Sequence, residues 1–185
     1  QIPRPSGQKE AVGAFLANYG RSLGLETIVD SIGNVIIRKP ASPGYEGHPG
    51  VILQGHMDMV PQKNNDTVFD FAKDPIEAYI DGEWVTANGT TLGADNGIGV
   101  AAAMAILADK NVVHPPLEVL VTVDEETGMY GAFALEGGLL QGKTLLNLDS
   151  EAEGELYVGC AGGVDTTAKF AYTPVEVEDG DVAVK

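Results

Sequence analysis

His56 and Asp58 end the segment "GVILQGHMDMVPQ" (residues 50–62), while Asp124-Glu125-Glu126 and Asp149 end two other apolar runs. Side chains at i and i+2 of an extended segment share one face, so His56 and Asp58 can act side by side. Asp95, in the loop "ANGTTLGAD", adds a carboxylate just before a small-residue helix. One imidazole with several carboxylates and no thiolate is a ligand set for zinc, manganese or cobalt; carboxylates alone suit magnesium or calcium. Asp58, Asp95, Asp124, Glu125, Glu126 and Asp149, brought to one place, would repel one another strongly without cations. One divalent ion leaves excess negative charge, so two ions about 4 Å apart, bridged by a carboxylate, fit the set.

Each of these residues also has a plainer reading. His56 could be a satisfied core histidine. Asp95 could cap the helix that opens at Asn96. Asp124, Glu125 and Glu126 could be a solvated strand end whose charges favour a helix N-terminus, and Asp149 a turn residue. Taken together, the plain readings need a coincidence, because every one of them leaves an acid at the same edge.

That edge follows from the elements. The runs 51–54, 117–123 and 145–148 are apolar on both faces and separated by helix or loop signals, the pattern of central strands in an α/β sheet. In such sheets the site lies beyond the carboxyl ends of the strands, where all three polar clusters fall. Ser6-Gly7 reads as the start of a helix carrying Ala11, Val12, Phe15, Leu16 and Tyr19, and 96–109 as a second helix rich in Gly and Ala. "ETIVDSIGNVIIRKP" reads as two strands about a turn, and "AYIDGEWVTANG" as a hairpin on Asp81-Gly82. His48 and His114 precede their strands and fall at the opposite edge, in loops. The closing "VEVEDGDVAVK" reads as a strand, an Asp179-Gly180 turn and a second strand broken off, as expected of a fragment of a longer protein.

Bulk properties narrow the function. The chain has 185 residues, 44% hydrophobic, enough for one domain with a core, and a net charge of −16. Nucleic acid and anionic membranes would repel so acidic a surface, so neither is expected as a partner. The single cysteine, Cys160, excludes an internal disulfide, fits a reducing, cytoplasmic setting, and reads as a small buried apolar residue. No window has the length of a membrane span, and no signal peptide is visible.

Two glycine-rich pieces imitate nucleotide sites. "GGLLQGKT" (137–144) satisfies the phosphate-loop pattern, but the order here is helix, loop, strand, the reverse of what cradles phosphate; Gly137 and Gly138 then read as a helix C-cap. "GIGVAA" (97–102) opens a helix but follows a polar loop rather than a buried strand, and Asp95 stands where a pyrophosphate needs no negative charge. A nucleotide-binding domain is therefore the weak alternative.

The motifs "LQGHMDMVPQK", "DGEWVTANGTTLGADNGIGVAAAMAIL", "DEETGMYGAFAL" and "LLNLDSEAEGELYVGCAGG", in this order and spacing, resemble the co-catalytic zinc metallopeptidases related to aminoacylase and bacterial carboxypeptidase G. Within that family the likeness is to the dipeptidases acting on Xaa-His dipeptides. The resemblance implies an α/β, mostly parallel central sheet with flanking helices, of the zinc-exopeptidase type. It implies that His56 and Asp149 hold one metal, Glu126 the second, and Asp95 both, with a cis peptide bond between Asp95 and Asn96. Glu125 would be the general base, and Asp58 would orient His56. The implied activity is hydrolysis of dipeptides by a water activated by two divalent ions, zinc first, with manganese or cobalt as alternatives.

Residues 1–162 would then be the N-terminal part of the catalytic domain and 163–185 the start of a lid domain, through which a homodimer could form. The family takes its last metal ligand from beyond that lid, so the second site is one ligand short here and the 185 residues alone are expected to be inactive. A deacylase of N-acyl amino acids on the same scaffold is the alternative within the class.

Overall fold

The structure is a computed structural model that describes residues 2–150, 152–160, 162–164, 166–173 and 180. It divides into two units, Gln1–Glu151 and Ala152–Lys185. The elements of the first, in chain order, are α1 (Glu10–Ser22), β1 (Glu26–Val29), β2 (Val35–Lys39), β3 (Val51–His56), β4 (Ala78–Asp81), β5 (Trp84–Ala87), α2 (Ala94–Ala108), β6 (Leu117–Thr122), α3 (Tyr130–Phe133) and β7 (Thr144–Asn147). No described residue of the second unit lies in a helix or strand. The expected terminal hairpin lies outside the described residues except for Gly180, which takes a φ of 108°.

Five strands form one sheet in the order β1-β2-β6-β3-β7. β3 pairs parallel with both β6 and β7, whereas β2 pairs antiparallel with β6 and with β1. Four strands therefore point one way and β2 alone points back. All six residues of β6 are buried, as befits a strand with neighbours on both sides. Alternation assigns Val35, Ile37, Leu53, Val119 and Val121 to one face, where α1 and α2 supply Val12, Leu16, Ala103 and Leu107. Ile36, Ile52 and Leu120 face the other way, toward Leu135, Leu139 and Leu140.

Several expectations shift. Helix α1 begins at Glu10, because residues 4–7 run alongside Met59 instead: Met59 N donates to the Arg4 carbonyl (3.1 Å) and Ser6 N to the Met59 carbonyl (3.3 Å). The β4–β5 turn is Gly82-Glu83, one residue later than expected, with Gly82 at φ 60°. Helix α3 ends at Phe133, so Gly137 and Gly138 lie beyond its cap rather than forming it. The run 145–148 forms an edge strand rather than a central one, and Leu145 and Leu146 are about half exposed because no described strand covers that side. His48 and His114 do lie in loops before their strands, but His114 is buried, its Nδ1 2.8 Å from the Pro115 carbonyl. Cys160 is exposed rather than buried; neither core cluster includes a described residue of the second unit.

Candidate metal centre

Parallel register brings the strand ends together. His56, the last residue of β3, is the partner of Thr122, the last of β6, and Gln54 is the partner of Asn147, the last of β7. Each chain then leaves the sheet at the same edge, carrying Asp58, Asp124–Glu126 and Asp149 with it. Asp95 arrives from a different direction, at the start of α2, where Asp95 and Asn96 have non-helical torsions and the peptide bond joining them is cis.

His56 is almost fully buried at 1% exposure, with acidic residues on both sides of its ring. Nε2 lies 2.9 Å from Asp95 Oδ1, 3.4 Å from Asp149 Oδ1 and 3.9 Å from Glu125 Oε2. Donor atoms of His56, Asp95 and Asp149 fall within 4.8 Å of one another, as do those of His56, Glu125 and Glu126. One imidazole nitrogen facing several carboxylate oxygens is the donor chemistry of a zinc or manganese site, and the geometry fits a divalent ion.

On the other side of the ring, Nδ1 sits 3.1 Å from the Asp58 carbonyl and 3.3 Å from Asp58 Oδ1. The Asp58 carboxylate collects further donors: Glu125 N at 3.0 Å, Glu126 N at 3.3 Å and the Ser6 hydroxyl at 2.7 Å. Asp58 thus joins His56 to the backbone of the two glutamates. Asp124 points away from this cluster and accepts a hydrogen bond from Gly7 N at 2.7 Å.

Electrostatics follow from this crowding. Burial pushes the Asp58 carboxyl up, but hydrogen bonds from His56, Ser6 and Glu125 N outweigh it and hold the pKa at about 2. Burial likewise pushes His56 down, yet Asp58, Asp149 and Asp95 together lift the metal-free imidazole to about 9. Desolvation and then the charge of Asp95 raise Glu126. Asp149 is raised by desolvation and by Asp95 and Glu125, against the pull of His56. Carboxyls pushed up beside an imidazole pushed up are the signature of a site short of positive charge.

Asn96 locks two arms of the centre. Its side-chain amide donates 2.7 Å to the Leu148 carbonyl, next to Asp149, while its own backbone follows Asp95. The side chain is buried over Gly55 and Gly99; a Cβ at either position would collide with it, which explains why both must be glycine.

The sequence-derived set His56, Asp58, Asp95, Glu125, Glu126 and Asp149 is brought together, and Asp124 is not. Reasoning from sequence missed Arg4 and Ser6. The Arg4 guanidinium donates to the carbonyls of Met57 (3.0 Å) and Asp58 (2.9 Å) and to that of Gly93. Burial lowers its pKa despite the nearby charges of Asp58, Asp95 and Glu126. "RPSG" carried a turn signal and nothing that pointed across 52 positions to Asp58.

The imitation phosphate loop is occupied by the protein itself. Gln141 N and Gly142 N donate to Glu118 Oε2 at 2.8 and 2.6 Å, and Arg38 Nε meets Glu118 Oε1 at 3.0 Å. In "GIGVAA", Gly99 is pressed against Asn96 and the Leu148 carbonyl, leaving no approach for a dinucleotide.

Sheet, strand-end histidine and carboxylates define a class: the chain belongs to peptidase family M20/M25/M40, whose sequence profile matches residues 52–182. The resemblance read from the motifs is thereby borne out. Among individual proteins, the chain is 59% identical over 169 residues to the cytosol non-specific dipeptidase of Escherichia coli, covering 91% of this chain and 35% of that protein. The crystal structure of aminoacylhistidine dipeptidase from Vibrio alginolyticus superimposes with a TM-score of 0.84 at 58% identity, over 86% of this chain and 32% of that one. Aminopeptidase PepT from Bacillus cereus superimposes with a TM-score of 0.68 at 27% identity, over 82% and 41%. The chain therefore spans about a third of the length of the two dipeptidases it matches. Among the described residues, no helix is long and apolar enough to cross a membrane.

Proposed function

We propose that this chain carries the larger part of the metal centre of a cytoplasmic dipeptidase that hydrolyses Xaa-His and similar dipeptides. The observation that carries the reading is His56 Nε2 lying 2.9 Å from Asp95 Oδ1 and 3.4 Å from Asp149 Oδ1, at the sheet edge where ligands belong. Relatives named as dipeptidases, similar over most of this chain, support the substrate class.

In this reading His56 and Asp149 hold one divalent ion, Glu126 a second, and Asp95 both, with zinc the preferred metal. Bound there, the ions supply Lewis acidity toward the scissile carbonyl and toward water. Glu125 takes a proton from the attacking water and returns it to the leaving amine. Its carboxylate is 30% exposed, open enough to meet substrate, while its backbone amide is tied to Asp58. Asp58 fixes the ring of His56 and stays off the metals. Residues 1–162 form the N-terminal part of the catalytic domain, 163–185 open a lid, and the full-length protein supplies the last ligand and a homodimer contact.

Elemental analysis of the full-length protein, with hydrolysis of an Xaa-His dipeptide before and after chelation, tests this. Zinc is expected in the purified protein, with activity lost on chelation and regained on zinc addition. Turnover that survives complete metal removal refutes the reading. Preference for N-acyl amino acids over dipeptides transfers it to a deacylase on the same centre.

A further inference from the structure

Residues 4–7 touch both the Asp58 loop and the loop before Asp95. They run as a short strap against Met59, with Pro5 bridged to it. Three residues of the strap reach out from it. Arg4 donates to the carbonyls of Met57 and Asp58 on one loop and of Gly93 on the other. Ser6 Oγ donates 2.7 Å to Asp58 Oδ2. Gly7 N donates 2.7 Å to Asp124 Oδ1, beside the two glutamates.

We infer that this strap is a positioning element of the metal centre: Ser6 aims the Asp58 carboxylate at His56, and Arg4 pins the Asp58 and Asp95 loops to each other. The inference rests on the proposed metal-dependent reading. Asp58 Oδ1 faces His56 Nδ1 and Glu125 N, whereas Oδ2 takes Ser6 and the longer bond from Glu126 N. Without the hydroxyl, Oδ2 keeps only that 3.3 Å contact, so the carboxylate is held chiefly through Oδ1 and can tilt about its Cβ–Cγ bond. The imidazole then keeps the Asp58 carbonyl at 3.1 Å, but its carboxylate partner at 3.3 Å is less firmly placed. Outer hydrogen bonds of this kind are worth about 10- to 100-fold in metal affinity. Arg4 is suited to its part because a planar guanidinium directs several N–H groups at once, whereas an ammonium is a compact point donor.

Zinc affinity of the full-length protein, by competition with a chromogenic chelator, separates the outcomes. Ser6→Ala should weaken zinc binding about tenfold and lower kcat with KM unchanged, whereas Ser6→Thr, which keeps a hydroxyl, should restore both. Ser22→Ala, whose hydroxyl only meets the Tyr19 carbonyl at the exposed end of α1, should match the unsubstituted protein. Arg4→Lys should also weaken zinc, since a single ammonium nitrogen replaces the two spaced guanidinium nitrogens that reach Met57 and Asp58 on one loop and Gly93 on the other; it supplies the test if Ser6→Ala does not fold by circular dichroism. Unchanged zinc affinity in Ser6→Ala and Arg4→Lys overturns the inference and leaves the metal centre standing, and so does a Ser6→Ala deficit that threonine leaves in place. An unsubstituted protein that binds no zinc overturns the underlying reading, and the inference with it.

Discussion

Asp58 Oδ1 lies 3.0 Å from the backbone nitrogen of Glu125, so the carboxylate that meets the His56 ring also anchors the chain bearing Glu125. The two parts come from the ends of neighbouring parallel strands, β3 and β6, and this bond couples their loops. A change at Asp58 should therefore be felt both by the ion and by the loop.

Asp58→Ala is expected to weaken zinc binding about 10- to 100-fold. It also strips an acceptor from Glu125 N, Glu126 N and Ser6, which should cost about 1–3 kcal/mol of stability for partly buried donors left unpaired. Chelator competition and urea unfolding read the two effects separately. Wild-type values in both would remove Asp58 from the centre.

Glu125→Gln keeps the shape and backbone anchor but cannot accept a proton. Turnover in the full-length protein should fall about a hundred- to ten-thousand-fold with zinc content unchanged. Loss of zinc instead would make Glu125 a ligand, an arrangement the close approach of His56, Glu125 and Glu126 also permits.

The imidazole of His56, lifted from 6.5 to about 9, is protonated in the metal-free chain at neutral pH. An ion must displace that proton, so zinc binding near pH 7.5 should release about one proton from His56. Apparent affinity should then climb with pH until about 9. Calorimetry in buffers of different ionisation enthalpy counts the protons; a count of zero contradicts the raised pKa. The linked stability runs the other way. Folded above unfolded, this pKa stabilises the metal-free chain fully below 6.5, and that contribution is lost as pH rises through 9. Asp58, depressed from 3.8 to about 2, stabilises above 3.8 and loses its share as pH falls toward 2.

Glu118→Ala removes the acceptor shared by Arg38 and the amides of Gln141 and Gly142. Removing this buried acceptor should cost about 1–3 kcal/mol, read as a lowered urea midpoint, since Arg38 keeps Glu26 and the Leu139 carbonyl. The unsubstituted protein should bind no ATP or inorganic phosphate in equilibrium dialysis, because those amides are already occupied. Phosphate binding that Gly142→Val abolishes would reverse this account.

Residue types and strand pattern were enough to place His56, Asp58, Glu125, Glu126 and Asp149, whereas Asp95 comes in from the start of α2. Apolar runs ended in His or acid at one edge, and parallel pairing converts a shared position in the strand pattern into a shared position in space. The cis bond at Asp95-Asn96, implied by family resemblance, is also present. Where the reading slipped, the deciding contact was remote. Ser6-Gly7 carried a local helix-start signal, but Ser6 is held by Asp58 and Met59, and α1 waits until Glu10.

What the sequence alone determined was the chemistry: one imidazole and a set of carboxylates spaced to meet where three strands end, since side-chain alternation and donor type are local properties of the chain. Only the tertiary structure decided which carboxylate serves which neighbour. Asp58 turns to the backbone of Glu125 and Glu126 while Asp95 and Asp149 turn to Nε2 of His56. Asp124 is drawn off to Gly7 instead. Those choices depend on hydrogen bonds between residues 39 to 117 positions apart, which fix orientation only once the strands have paired.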